Sequence, residues 1–182
     1  MNNSVTILSF SPRNHGNCAN ISKFISKYHD HQATIIHVTS ELISTCGNCN
    51  YECLTPGMKC PIITKEYETM METITASDLV YFVVPNYCGY PNANYFAFNE
   101  RSVGYFAMDR QKMKEYMNIP KKFIVVSNTE GFEKPMQQQT NSEPEILYLK
   151  SGKYKKRSTA GDILDSEEAQ KDLLEFLSKE VQ

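Results

Sequence analysis

Five short apolar runs, Val5 to Leu8, Ala33 to Val38, Leu79 to Val84, Phe123 to Val126 and Ile146 to Leu149, are separated by segments whose apolar residues recur at helical spacing. Ile21, Phe24, Ile25 and Tyr28 form one such stripe, Tyr67, Met70, Met71 and Ile74 a second, and Leu173, Leu174 and Leu177 mark a last helix. Strands that are continuously apolar, rather than alternating, belong inside a parallel sheet covered on both faces. The expectation is an α/β fold: a three-layer, doubly wound parallel five-stranded sheet, in a single domain over residues 1–182. Ligands of such folds sit beyond the carboxyl ends of the strands, which singles out three loops: Ser9–Asn17, Pro85–Asn92 and Ser127–Glu133.

The first loop leaves a strand and opens a helix, so its amides and the first helical N–H groups lack backbone partners and carry the positive end of the helix dipole. Ser9, Ser11, Asn14 and Asn17 add donors, Arg13 adds a permanent cation, and Gly16 can take a positive φ. An anion fits this place, although serines and asparagines also turn chains and cap helices. The second loop, Pro85-Asn86-Tyr87-Cys88-Gly89-Tyr90-Pro91-Asn92, offers two rings on a stiff segment, suited to stacking on a flat heteroaromatic ligand. The third, Ser127-Asn128-Thr129-Glu130-Gly131-Phe132, adds small polar groups and one carboxylate. Together they describe a site for a flat phosphorylated molecule.

Other stretches are read structurally. Ala93 to Phe106 is helical and carries more rings (Tyr95, Phe96, Phe98, Tyr105, Phe106) than one inward stripe needs, which suits a subunit interface, a ligand wall or a wide core helix. Asp109 caps the next helix, with Met108 and Met113 spaced as a hydrophobic staple, and Asp165 or Ser166 caps the last one. Phe132 to Pro144 is polar and glutamine-rich, a mobile excursion that could cover the site as a lid or, more commonly, be a merely tolerated insertion. The basic run Lys150, Lys153, Lys155, Lys156 and Arg157 reads as a solvated edge or turn.

Composition excludes several partners. A net charge of −2 argues against a nucleic-acid binder, and no apolar run approaches the roughly 20 residues of a membrane span. No signal-peptide pattern opens the sequence, so the expected location is the cytoplasm, where the six cysteines would be mostly reduced. Phosphate P-loop, serine-hydrolase elbow and zinc-protease helix motifs are all missing.

On Ser11-Pro12-Arg13 followed by Gly16-Asn17, and on Pro85-Asn86-Tyr87 after the third strand, the chain resembles the NAD(P)H-dependent FMN reductase branch of the flavodoxin-like flavoproteins. The resemblance covers nearly the whole chain. It implies that FMN lies with its phosphate among Ser11, Arg13, Asn17 and Cys18, its ring along Pro85, Asn86, Tyr87 and Cys88, and its far edge by Asn128, Thr129 and Glu130; Ser9, Gly16 and Gly89 of the same loops join the candidates, as does His15, which also reads as a solvent-exposed turn residue. Phe10 stands where that family has glycine, placing a ring near the cofactor or in the core. Cys18 stands where it has threonine, and a thiol is the poorer donor.

Cys46, Cys49, Cys53 and Cys60 form a C-x2-C-x3-C-x6-C run. Four thiolates so spaced could enclose an iron–sulfur cluster such as [4Fe-4S] or a tetrahedral zinc, or remain free or reversibly oxidised thiols. The run resembles the compact motif of iron–sulfur flavoproteins, with three residues instead of two between the second and third cysteines.

The resemblance implies a homodimeric oxidoreductase passing electrons from NAD(P)H through bound flavin to a small acceptor such as a quinone, flavin or nitro compound, with no protein acid or base as catalyst. The alternatives are a non-enzymatic flavin electron carrier and a thiol or zinc redox sensor on the same scaffold.

Overall fold

The computed structural model describes residues 4–47, 49–107 and 109–180. Six strands and six α-helices follow one another: β1 (Val5–Ser9), α1 (Asn17–Tyr28), β2 (Thr34–His37), α2 (Lys65–Thr75), β3 (Leu79–Tyr87), β4 (Tyr90–Pro91), α3 (Ala93–Phe106), α4 (Arg110–Asn118), β5 (Lys121–Val126), α5 (Glu133–Gln137), β6 (Glu145–Leu149) and α6 (Glu167–Ser178). Five strands form a parallel sheet in the order β2-β1-β3-β5-β6, the flavodoxin-like order. The sixth, β4, is a two-residue antiparallel ribbon on the end of β3, pairing Asn86 with Pro91 and Tyr87 with Tyr90.

Period-two alternation sends successive side chains to opposite faces, and both faces are buried. Val80, Phe82 and Val84 pack with Met70, Met71, Phe98 and Tyr116 of the α2, α3 and α4 side. Tyr81 and Val83 pack with Ile21, Ile25, Leu173 and Leu177 of the α1 and α6 side. This two-sided burial is why the strand sequences are continuously apolar. Register then fixes the functional edge, because Ser9 pairs with Val83, Pro85 with Val126, and Val126 with Leu149, so the loops after β1, β3, β5 and β6 leave side by side.

Phe10, at the start of the first loop, is turned into the core. Its ring stacks on Phe82 at 5.7 Å between centroids and meets Tyr95 and Phe98 edge-on at 5.4 and 5.7 Å. Of the five rings on α3, Tyr95, Phe98 and Phe106 are buried, Tyr105 is half-buried and Phe96 is exposed. The wide core helix therefore accounts for most of them.

Thr64, Asn92, Asp109 and Ser166 cap α2, α3, α4 and α6 by accepting a bond from a first-turn amide. Met108, half of the expected staple, lies outside the described residues. Residues 132–144 are not the loose excursion their composition suggests. Phe132 and Met136, one helical turn apart, are both fully buried, and the Tyr95 hydroxyl donates to the Pro135 carbonyl at 2.6 Å. Among the described residues no helix is long and apolar enough to cross a membrane.

Candidate functional site

Helix α1 starts differently from the other helices of more than five residues. Its N-cap is Gly16, whose φ of −86° and ψ of 175° are extended, and no side chain caps the exposed amides. Its first turn holds no carboxylate either. The end of a 12-residue helix thus keeps its partial positive charge with no capping side chain or first-turn carboxylate among the described residues. The expected positive φ at Gly16 is not found. The glycine eases a close approach instead: a Cβ there would stand 3.3 Å from the Arg13 Cβ, tight enough to need a shift of the loop, and 3.8 Å from the Ser11 Oγ, an ordinary contact.

A cavity of about 160 Å³ opens at this helix end. Ser11, Arg13, Gly16, Asn17 and Cys18 line it from the first loop, and Pro85, Asn86, Tyr87 and Cys88 from the second. Nine residues chosen from sequence are therefore brought to one wall. Cys18 is buried and its thiol is pushed up to about 12 by desolvation, so it faces the cavity as a neutral group. Ser9 and His15 do not line the cavity. Ser9 is fully buried with its Oγ unbonded, and the exposed His15 presents only its backbone carbonyl to a neighbouring loop.

The second loop is a rigid turn. Cys88 (φ 55°) and Gly89 (φ 86°) are its two central residues, and the Gly89 amide donates to the Asn86 Oδ1 at 2.8 Å. Tyr87, which lines the cavity, and Tyr90, paired with it across the turn, are 46% and 67% exposed. The Asn86 amide donates to the Ser127 Oγ and, at 2.7 Å, to the Thr129 Oγ1, which ties the second loop to the third. Asn128, Thr129 and Glu130 themselves stand outside the cavity lining. Asn128 accepts from the Gly152 amide at 2.9 Å and Glu130 is ion-paired with Lys150.

A fourth loop, between β6 and α6, completes the wall with Ser158 and Thr159. Asn17 holds it there. Its Nδ2 donates to the carbonyls of Ser158 at 2.9 Å and Arg157 at 3.3 Å, and its Oδ1 accepts from the Ile163 amide at 3.0 Å. With both ends of its amide occupied, Asn17 positions the wall and offers no spare donor. Asn20 donates to the Gly161 carbonyl at 2.8 Å, and the Arg13 guanidinium reaches the Thr159 carbonyl at 3.4 Å. The basic run read as a solvated turn is the approach to this wall. Lys150 and Lys153 are ion-paired, whereas no salt bridge joins Lys155, Lys156 or Arg157 to a described residue. The sequence signal available was that run continuing directly into Ser158 and Thr159.

Gly161 makes the docking of this loop possible. Its φ is 79°, and a Cβ would fall 2.5 Å from the His15 carbonyl oxygen. Gly161→Ala is expected to cost roughly 1 to 2 kcal/mol from the backbone conformation alone, and to speed tryptic cleavage at Lys155, Lys156 and Arg157. Unchanged urea stability and cleavage would show that the loop is not held here.

The four-cysteine run is not arranged as a ligand set, and the metal and cluster readings gain no support. Arg101, on α3, donates from Nη1 to the Cys60 Sγ at 3.3 Å, and the backbone amide of Cys46 donates to the Glu100 carboxylate at 2.7 Å. Cys53 and Cys60 both pack on Gly104. Desolvation, then the neighbouring thiols of Cys60, Cys49 and Cys46, push the Cys53 thiol up, so the four share a neighbourhood. No group of three or more His, Cys, Asp or Glu among the described residues converges to hold a metal ion. Spacing brought the thiols near each other, and α3 holds the Cys60 thiol and the Cys46 amide.

No protein-family model and no curated protein matches the sequence. Solved structures do match it. The Trp repressor binding protein from Bacillus subtilis superposes with a TM-score of 0.67 at 13% identity, covering 97% of this chain and 99% of that one. The flavoenzyme NAD(P)H:(acceptor) oxidoreductase FerB from Paracoccus denitrificans gives 0.56 at 13%, covering 96% and 95%. An azoreductase from Bacillus anthracis gives 0.54 at 13%, again covering 96% and 95%. At such identities the likeness establishes the flavodoxin-like fold.

Proposed function

We propose that the chain is a flavin-dependent oxidoreductase, binding FMN with its phosphate at the N-terminus of α1 and serving electron transfer from NAD(P)H to a small acceptor. The observation that carries this reading is the uncapped, acid-free start of α1 opening into a cavity beside Arg13 and Ser11. Solved structures of the same fold include a flavoenzyme NAD(P)H oxidoreductase and azoreductases, which supports the class of chemistry without fixing the acceptor.

The residues present suit FMN. A cavity of about 160 Å³ is below the roughly 300 Å³ of pockets that enclose a whole drug-sized ligand. It takes the phosphate end, while the exposed rings of Tyr87 and Tyr90 offer a surface for the isoalloxazine. The α1 amides, the Ser11 hydroxyl and the Arg13 guanidinium would hold the phosphate, with Ser158 and Thr159 opposite. Burial keeps Cys18 uncharged, which matters because a thiolate there would repel the phosphate. When bound, the flavin supplies hydride acceptance and onward electron transfer. The chain's part is to fix the phosphate by charge-assisted hydrogen bonds, stack the ring and exclude water from one side. In the same reading the protein is a homodimer, with Phe96 (42% exposed) and Val103 (65% exposed), two turns apart on α3, in the contact.

Reconstitution tests this. Purified protein mixed with FMN should quench its fluorescence to a one-to-one endpoint, oxidise NADH or NADPH when a quinone or nitro compound is added, and sediment as a dimer. Protein that takes up no FMN would end the flavin reading; uptake without nicotinamide oxidation would make the chain an electron carrier.

A further inference from the structure

A second cavity lies away from the α1 site, between the segment after β2 and the start of α2. It measures about 110 Å³, and Ser44, Thr64, Tyr67 and Arg101 are among its lining residues. Arg101 is only 2% exposed, yet no carboxylate lies within ion-pair distance of it among the described residues. Its guanidinium donates from Nε to the Ser44 carbonyl at 2.8 Å, from Nη2 to the Thr45 carbonyl at 2.6 Å and from Nη1 to the Cys60 Sγ. These bonds use three of its five N–H groups, and none of them goes to a carboxylate. A buried cation without a counter-charge is costly, and such groups are found paired.

Tyr67 supplies the independent observation. It is 1% exposed, lines the same cavity, and its hydroxyl has no hydrogen-bond partner among the described residues. Burial pushes that phenol well up, so it stays a protonated donor, while the nearby Arg101 charge acts in the opposite sense. An unpaired cation and an orphaned O–H donor thus line one small cavity that opens to solvent. Glu41 is the acidic residue at its rim and is exposed.

We infer that this cavity binds a small monoanion, of the size range from chloride to acetate, held by the free guanidinium N–H groups of Arg101 and the Tyr67 hydroxyl. Occupancy would neutralise Arg101 while it grips Ser44, Thr45 and Cys60, fixing the cysteine segment on α3. The site is separate from the flavin reading and stands or falls without it.

The test is a thermal-shift titration of the full chain with potassium chloride, bromide, formate or acetate, each replacing potassium gluconate at constant ionic strength. The midpoint should rise saturably with the small anions. Tyr67→Phe, which removes one oxygen and keeps the ring, should weaken the apparent affinity at least fivefold, and Arg101→Lys at least tenfold. A crystal soaked in bromide should show an anomalous peak between Tyr67 and Arg101. Equal midpoints in chloride and gluconate would overturn the proposal, as would a chloride response that Tyr67→Phe leaves intact. So would a Glu41→Gln variant that is destabilised in gluconate and chloride alike, because Glu41 would then be the counter-charge.

Discussion

Gly16→Asp should abolish FMN binding while leaving the protein folded. Position 16 is the N-cap of α1, and its extended backbone suits a capping carboxylate. An aspartate there would accept the amides left free and place a negative charge where the phosphate is proposed to sit. The helix gains up to about 1 kcal/mol from the cap and the dipole. The added Cβ approaches the Arg13 Cβ at 3.3 Å, and Arg13 is exposed enough to move. FMN loses its hydrogen bonds and meets repulsion, so affinity should fall at least about 100-fold, or about 2.7 kcal/mol. Fluorescence-quench titration and urea melts read the two effects separately. Unchanged FMN affinity in a stable variant would remove the phosphate from this helix end.

Phe10→Ala should do the reverse. The ring is fully buried and contacts Phe82, Tyr95 and Phe98, so truncation leaves a cavity in the middle of the α2–α3–α4 side of the core. The expected loss is about 3 to 5 kcal/mol of stability by urea denaturation. FMN affinity of the folded fraction should change little, because the ring is not part of the cavity wall and the loop is anchored through its backbone. The Phe10 amide donates to the Val83 carbonyl at 3.0 Å, and its carbonyl accepts from the Asn92 side chain. A large loss of affinity at unchanged stability would put the ring at the cofactor. The glycine of the resembling family therefore cannot be restored here without opening the core. Cys18→Thr is the cleaner exchange at the cavity itself.

The sheet and the edge that carries the site were legible because buried parallel strands must be apolar on both faces, and Val5–Leu8 and Leu79–Val84 show this without ambiguity. The ribbon after β3 was less so. Asn86 and Tyr87 look like loop residues, yet they pair with Pro91 and Tyr90 because Cys88 and Gly89 both accept positive φ. Residues 132–144 misled by their glutamines, whereas Phe132 and Met136 at i and i+4 were the better guide. Asn17 is a candidate site residue by sequence, but its partners lie 140 to 146 positions away, and nothing local announces which groups an amide will meet. For the cysteines, spacing conveyed nearness, while direction depended on Glu100, Arg101 and Gly104 of a helix some fifty residues on.

The docking of the β6–α6 loop onto the β1–α1 loop also sets an order of events during synthesis. Two of the loops lining the cavity are joined by bonds between residues 140 to 146 positions apart, so the earlier-made loop waits for the later one to leave the ribosome. Until residues 157–163 emerge, Asn17 and Asn20 have no carbonyls to hold and one side of the cavity is open to water. A chain stopped before residue 157 would lack that wall and is expected not to compete for the flavin proposed to bind here.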